Sequence, residues 1–339
     1  MRKPSIREVA KLADVSTATV SNVFSGKKPV NDELKERVRL AATQLGYQMD
    51  RAASQLRSQR NKVVTVLVPN ITDTFFATIV SHLENLAFEH GYDVIVASSH
   101  DRDDVEASRI KALMSWRPAG MIAIPCSGQL SESLLDLTSH CPTVLIDRVS
   151  VHSAPFDTVT IDNRAAGDLA CQHLADAGHE SILIAASNLS FPPIRERVEG
   201  AFLAMEKSHL TKPNVIELGS DLEEGALKIA NWLGHNLKPT AILALTNVTT
   251  LSTLTALAEC NIKVGQDISL VAFDDYAWMS ARSTSLTAIR QPVAEVAQNA
   301  WSRLLERIDS ERINVDPKAT ILEATLIQRH SVKNISVEN

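Results

Sequence analysis

The chain has 339 residues, 45% hydrophobic and 22% charged, enough for two or three domains with sizeable cores. No apolar run is long enough to span a bilayer, and the start MRKPSIREVAKLA turns amphipathic and acidic at once, so neither a membrane span nor a secretory signal is expected. The net charge of −6 divides unevenly: residues 1–60 carry 12 Lys+Arg and 6 Asp+Glu, the remainder 22 and 34, and a basic head on an acidic body suits a polyanionic partner for the head alone.

The head reads as three short helices. Ser5-Ile-Arg-Glu8 is a capping box, followed by Ile6, Val9, Ala10 and Ala13 at helical spacing. Residues 13–16 make a turn, and Ser16 caps a second helix in which Val20, Val23 and Phe24 face inward and which Gly26 stops. Asn31 caps a third helix, with Asp32 and Glu33 in its first turn, burying Leu34, Val38, Ala41 and Leu45 and ending at Gly46. Two short helices across a tight turn, closed by a third, form a helix-turn-helix unit. A solvated second helix would carry Lys and Glu. This one shows Ser16, Thr17, Ala18, Ser21 and Asn22, short groups that let a backbone approach the base edges of a major groove.

From residue 62 the pattern changes. Nine apolar runs read as buried strands: 63–68, 93–98, 120–124, 143–146, 158–161, 181–186, 214–218, 241–245 and 268–273. Amphipathic helical stretches separate most of them. Such alternation predicts parallel sheets covered on both faces, in two doubly wound subdomains. Residues 331–339 read as a tail without a heptad pattern.

Several stretches together resemble the LacI/GalR family of bacterial transcription regulators. "IREVAKLADVSTATVSNVFSG" is similar to the family's helix-turn-helix, and "AATQLGYQMDRAASQLRSQR" to its third helix and hinge helix. "VPNITDTFFATIVSHLENLAFEHGYDVIVAS", "LIDR", "ERVEGAF", "ISLVAFDDYAW", "LTAIRQP" and "LIQRHS" resemble its core. The resemblance implies a head (1–48), a hinge (49–61) and a core (62–330) like periplasmic sugar-binding proteins. The N-subdomain would comprise 62–161 with 291–322, and the C-subdomain 162–290. It departs at Met49-Asp50, where the family often has Pro-Asn, at Val248, where Asp is usual, and at Ala119.

For DNA, Thr17, Ala18 and Asn22 are the candidate base readers, since Asn can bond adenine bidentately and Ala and Thr methyls can touch a thymine methyl. Ser5, Ser16, Thr19, Ser21, Asn31 and Tyr47 are candidate phosphate contacts, with helix capping as the competing role of Ser5, Ser16 and Asn31. The resemblance makes residues 51–57 a hinge helix that folds on DNA and Leu56 its minor-groove wedge. For a ligand, Phe75 and Phe76 supply aromatic faces at a strand end. Arg197 offers a fork of donors, Asp274 can take two hydroxyls, and Asp147, Arg148, Asn247 and Gln291 complete a polar lining. Trp278 is a further candidate, or a core residue. This mix suits a small sugar or sugar derivative, and two arginines permit an acid or a phosphate.

Enzyme chemistry finds no foothold. No GxGxxG follows the first strand, there is no GxxxxGK, GxSxG or HExxH, and the four cysteines form no CxxC pair, so no cofactor or metal is expected. The expectation is a bacterial, cytoplasmic, nucleoid-associated homodimeric repressor of carbohydrate genes that binds a palindromic operator and a small effector. The alternative is a periplasmic-type sugar-binding protein without DNA function.

Overall fold

The computed structural model describes residues 4–25, 28–47, 62–149, 155–310 and 316–336, in two units, Met1–Asn61 and Lys62–Asn339. The first unit holds α1 (Ile6–Leu12), α2 (Thr17–Ser25) and α3 (Asp32–Leu45). Each helix starts where a short polar side chain meets unpaired N–H groups. The Glu8 carboxylate accepts from the Ser5 backbone N–H (2.6 Å) and from its hydroxyl (2.8 Å). Ser16 Oγ accepts from the Thr19 N–H (3.0 Å), and Asn31 Oδ1 from that of Glu33 (3.0 Å). Gly46, at φ 62°, ends α3 in the left-handed conformation that an absent Cβ makes inexpensive.

Val9, Ala10, Ala13, Val20, Val38, Ala41 and Ala42 form the buried centre of this unit, with Ile6, Val15, Val23 and Tyr47 packed on it. Two expected core residues lie outside it: Phe24 is 37% and Leu45 36% exposed, and Leu34 is half-buried. Three short helices enclose a centre only as deep as Val and Ala, so the longer side chains stay at its rim, and Ala42 fills the position next to Ala41. Arg37 Nη2 donates to the Ala13 carbonyl (2.7 Å), tying α3 to the turn after α1, where Asp14 takes φ 50°. Gly26 and the whole hinge stretch, Leu56 included, lie outside the described residues.

The second unit runs β1 (Val63–Val68), α4 (Thr74–Glu89), β2 (Asp93–Ser98), α5 (Asp103–Met114), β3 (Gly120–Ala123), α6 (Glu132–Leu135), β4 (Thr143–Ile146) and β5 (Asp157–Ile161). Then follow α7 (Asn163–Asp176), β6 (Ile182–Ala186), α8 (Pro192–Lys207), β7 (Asn214–Glu217), α9 (Leu222–His235), β8 (Ala241–Ala244), α10 (Asn247–Glu259) and β9 (Ser269–Phe273). Last come α11 (Ala277–Ser280), β10 (Thr287–Arg290), α12 (Val293–Asp309), β11 (Ala319–Leu322) and β12 (Thr325–Ile327).

Two six-stranded sheets result, ordered β11-β5-β4-β3-β1-β2 and β12-β10-β9-β8-β6-β7. The first is parallel throughout; in the second only β12 runs antiparallel, against β10. All nine predicted strands are present. Strands β10, β11 and β12 were not predicted, because TAIR and ATIL mix polar with apolar residues and TLI has only three residues. β2 and β7 read as buried but are edge strands with half-exposed side chains.

The chain passes between the sheets three times, after β5, after β10 and between β11 and β12. α12 returns to the first sheet and buries Trp301 and Leu304 there. Its Arg307 forks onto Asp157 at the start of β5 (Nε to Oδ2 2.8 Å, Nη2 to Oδ1 2.7 Å). α7 and α8 pack so closely that a Cβ on Gly167 would lie 2.0 Å from the Arg197 carbonyl oxygen, and one on Gly200 2.0 Å from that of Arg164. The supposed tail is built into the second sheet. Ser331 is fully buried, its Oγ donates to the Leu270 carbonyl (2.5 Å), and the Ile335 N–H donates to the Ala177 carbonyl (2.8 Å). Hydrogen bonds, invisible as hydrophobicity, hold this segment together with the packing of Val332.

Candidate nucleic-acid interface and ligand cleft

On α2 the structure exposes Ser16, Thr17 and Ala18 and leaves Thr19, Ser21 and Asn22 half-buried. All six candidates belong to this one short helix and its cap. Ser16 and Thr19 are bonded to each other through their hydroxyls (2.9 Å), and Ser5 and Asn31 are engaged in their caps. Their fixed hydroxyl and amide groups mark the helix starts, where backbone N–H groups suit a phosphate. Tyr47 packs on the head's centre with its ring 6.0 Å from that of Phe24.

In the second unit a cavity of about 630 Å³ opens at the carboxyl ends of the strands of both sheets, the position in which doubly wound sheets bind ligands. Eight of the nine predicted ligand residues line it: Phe75, Phe76, Asp147, Arg148, Arg197, Asn247, Asp274 and Gln291. Trp278 does not. It packs, partly buried, against the hydrophobic cluster around Leu254, Leu286 and Met279, because the short α11 turns it away from the strand ends.

Each lining residue owes its place to a strand end. After β1, Asp73 caps α4 by accepting from the Phe75 N–H (2.9 Å), which brings Phe75 and Phe76 to the cavity, edge to face at 5.4 Å and both buried. After β4, Asp147 takes φ 64°, and Arg148 next to it bonds Asp101. The Arg148 guanidinium also lies 3.9 Å from the ring centre of Phe191, at the entry to α8. After β8, Thr246 caps α10 and presents Asn247, whose buried Oδ1 has no hydrogen-bond partner among the described residues. Val248 faces the cavity as hydrocarbon. After β9, Asp274 takes φ 67° and accepts from Gln291 Nε2 (2.6 Å). Asp275 beside it is structural, held by Arg290 (2.5 Å) and Arg329 (2.6 Å).

Arg197, on the second turn of α8, is 3% exposed. Its Nε donates to Asn163 (2.9 Å), its Nη1 to the Leu245 carbonyl (2.7 Å), and its plane lies 4.3 Å from the Phe273 ring centre. Burial lowers its pKa from the ordinary arginine value, opposed by the charges of Asp274 and Asp147. Burial likewise raises Asp73 and Asp147, and pushes Asp274 up to about 6 despite Arg197 and Gln291. The cavity thus collects acceptors whose negative charge is costly to hold, and a donor-bearing ligand would relieve them.

Sequence reasoning missed other lining groups: Asp73, Asp101, Asp103, Cys126, Phe191 and Glu217. All follow a strand end except Glu217, which closes β7, so strand ends were the available signal.

Residues 5–50 match the family described as "Bacterial regulatory proteins, lacI family", and residues 61–331 match "Periplasmic binding proteins and sugar binding domain of LacI family". The HTH-type transcriptional repressor PurR of Vibrio vulnificus is 28% identical over 98% of this chain and 99% of its own length. The ribose operon repressor of Escherichia coli K12 is 29% identical over 90% of this chain and 93% of its own. Among solved structures, the Lac repressor dimer bound to operator and the anti-inducer ONPF has a TM-score of 0.85 at 24% identity, covering 98% of this chain and all of that one. A LacI family regulator from Enterococcus faecium with bound ribose has a TM-score of 0.71 at 22% identity, covering 81% of this chain and all of that one. No helix among the described residues is long and apolar enough to cross a membrane. Head, cleft and matches along nearly the whole length agree: the chain belongs to the LacI family of bacterial regulatory proteins, as a DNA-binding repressor with a core of the sugar-binding type.

Proposed function

We propose that this repressor controls carbohydrate genes and answers to a small sugar or sugar derivative bound between its two sheets. One observation carries the reading: the cavity at the strand ends combines a buried aspartate held by Gln291, a buried arginine, the Asn247 Oδ1 without a partner among the described residues, and two phenylalanines. Hydroxyls supply donors to Asp274 and Asn247, Arg197 donates to a ring or hydroxyl oxygen, and the Phe75–Phe76 pair gives an apolar face. The ribose operon repressors among the relatives support the same class.

In this reading the protein acts by binding, not catalysis, as a cytoplasmic homodimer on a palindromic operator. Thr17, Ala18 and Asn22 read bases. Ser5, Ser16, Thr19, Ser21, Asn31 and Tyr47 hold the backbone, and Leu56 wedges the minor groove. The core divides into an N-subdomain (62–161 with 291–322) and a C-subdomain (162–290). Ligand bound between them shifts DNA affinity by its differential affinity for the two arrangements.

Thermal-shift screening of the full-length protein against sugars tests the ligand, followed by gel shifts on genomic fragments with and without the hit. A sugar is expected to raise Tm and change DNA retention. A confirmed ligand whose affinity survives both Arg197→Ala and Asp274→Ala would overturn the assignment.

A further inference from the structure

We propose that Asp101 and Asp147 make the cleft charge-selective: Asp101 by pairing with Arg148, and Asp147 by adding its carboxylate to the lining that Arg197 shares, they confine it to uncharged ligands and exclude the phosphate esters and carboxylic acids of the same sugars. This rests on the carbohydrate reading above and narrows it. A guanidinium fork takes a carboxylate or phosphate as readily as a hydroxyl, so two arginines in a cleft leave the ligand's charge open.

Here both arginines are already engaged. Arg148 Nη1 bonds Asp101 and the Cys126 carbonyl (3.4 Å), and its guanidinium lies over Phe191 at 3.9 Å and near Phe76 at 5.3 Å. Arg197 bonds Asn163 and the Leu245 carbonyl and stacks on Phe273. Its Nη2, the nitrogen with no partner among the described residues, sits in the field of Asp274 and Asp147. The rest of the lining adds Asp73, Asp103 and Glu217 and neither Lys nor Arg, so six carboxylates face two guanidiniums. An arriving anion would find Arg148 already paired and would add to a surplus of negative charge in a partly desolvated space.

One further observation points the same way. Asp101 and Asp147 sit at φ 56° and φ 64°, a region that Asp and Asn both tolerate. The backbone there is served equally by an amide, so what the carboxylate adds is its charge.

The test is titration calorimetry on the full-length protein with neutral pentoses, hexoses and disaccharides, their monophosphates, D-glucuronate and inorganic phosphate. For wild type, each anionic form is expected to bind at least about tenfold more weakly than its parent sugar. Asp101→Asn and Asp147→Asn, isosteric and checked by thermal melts, should each raise the ratio of phosphate-ester to parent affinity by about tenfold. A phosphate ester or acid that binds wild type as tightly as its parent overturns the proposal and leaves the carbohydrate reading standing. So does an unchanged ratio in both folded variants. Silence from every probe overturns the carbohydrate reading and the proposal with it.

Discussion

Gln291 Nε2 donates to Asp274 Oδ1 at 2.6 Å, so the residue that follows β10, where the chain leaves the second sheet for the first, holds the carboxylate at the end of β9. The carboxylate at the cavity and a crossing between the sheets are thereby one unit. Whatever bonds the other oxygen of Asp274 acts one hydrogen bond away from a segment that joins the two sheets.

The raised Asp274 pKa makes both stability and binding depend on pH. Its native value of about 6 lies above the unfolded 3.8, so the fold holds an extra proton between these values. The stability this contributes is fully present below pH 3.8 and is lost as pH rises through 6, up to about 3 kcal/mol. Denaturation of wild type and Asp274→Asn across this range should show the variant with the flatter profile. A ligand that donates hydroxyls to the carboxylate favours its ionised form. Sugar affinity should therefore fall as pH drops below 6.

Gly167→Ala and Gly200→Ala should each prevent stable folding. The added Cβ would lie 2.0 Å from a backbone carbonyl oxygen of the facing helix, and neither backbone can yield without separating α7 from α8. Arg197 sits at that crossing, so a variant that does fold should bind ligand poorly. A melting temperature unchanged in either variant would contradict the packing described.

Part of the cavity lining could be read from the chain, for a physical reason. Apolar runs mark strands, strands in βα alternation must be parallel, and parallel sheets leave their functional ends at the residues just after each run. Phe75, Asp147, Asn247 and Asp274 were found this way. Trp278, open between cleft and core, lies against the core because a four-residue helix intervenes after β9 and redirects the side chain. Asp101 and Phe191 were missed because they meet only through Arg148, a contact between residues far apart in sequence. The segment 331–336 was read as a tail because its attachment is made by hydrogen bonds, which composition does not register.

The Asp157–Arg307 pair should be worth more than a surface ion pair. Asp157 is 2% and Arg307 15% exposed at the side chain, and the fork is bidentate. Asp157→Ala, which removes the carboxylate that takes both ends of the Arg307 fork, should cost about 3–5 kcal/mol in urea denaturation. Burial alone would raise the Asp157 pKa, but Arg307 and the Lys318 N–H outweigh it and hold the carboxyl below its usual range. Its contribution is therefore present above pH 3.8 and lost as pH falls through the depressed native value. Wild type should lose more stability than the variant on acidification below that point.

In the head, Asn22→Ala should cost about 1–3 kcal/mol on the preferred operator and relax one base position, whereas replacing Tyr47 should weaken all sequences alike. Binding-site selection with each variant separates the two. An unchanged selection for Asn22→Ala would remove it from the readers.

The three crossings between the sheets set an order of assembly on the ribosome. The head is one contiguous segment whose hydrophobic centre is complete once Tyr47 has emerged. Neither sheet is complete until β11 and β12, at 319–322 and 325–327, have been synthesised, and Ser331 must follow to bond Leu270. Domains fold as units during synthesis, and contacts distant in sequence form last. Each newly made molecule therefore completes its helical head well before it completes the cavity between its two sheets.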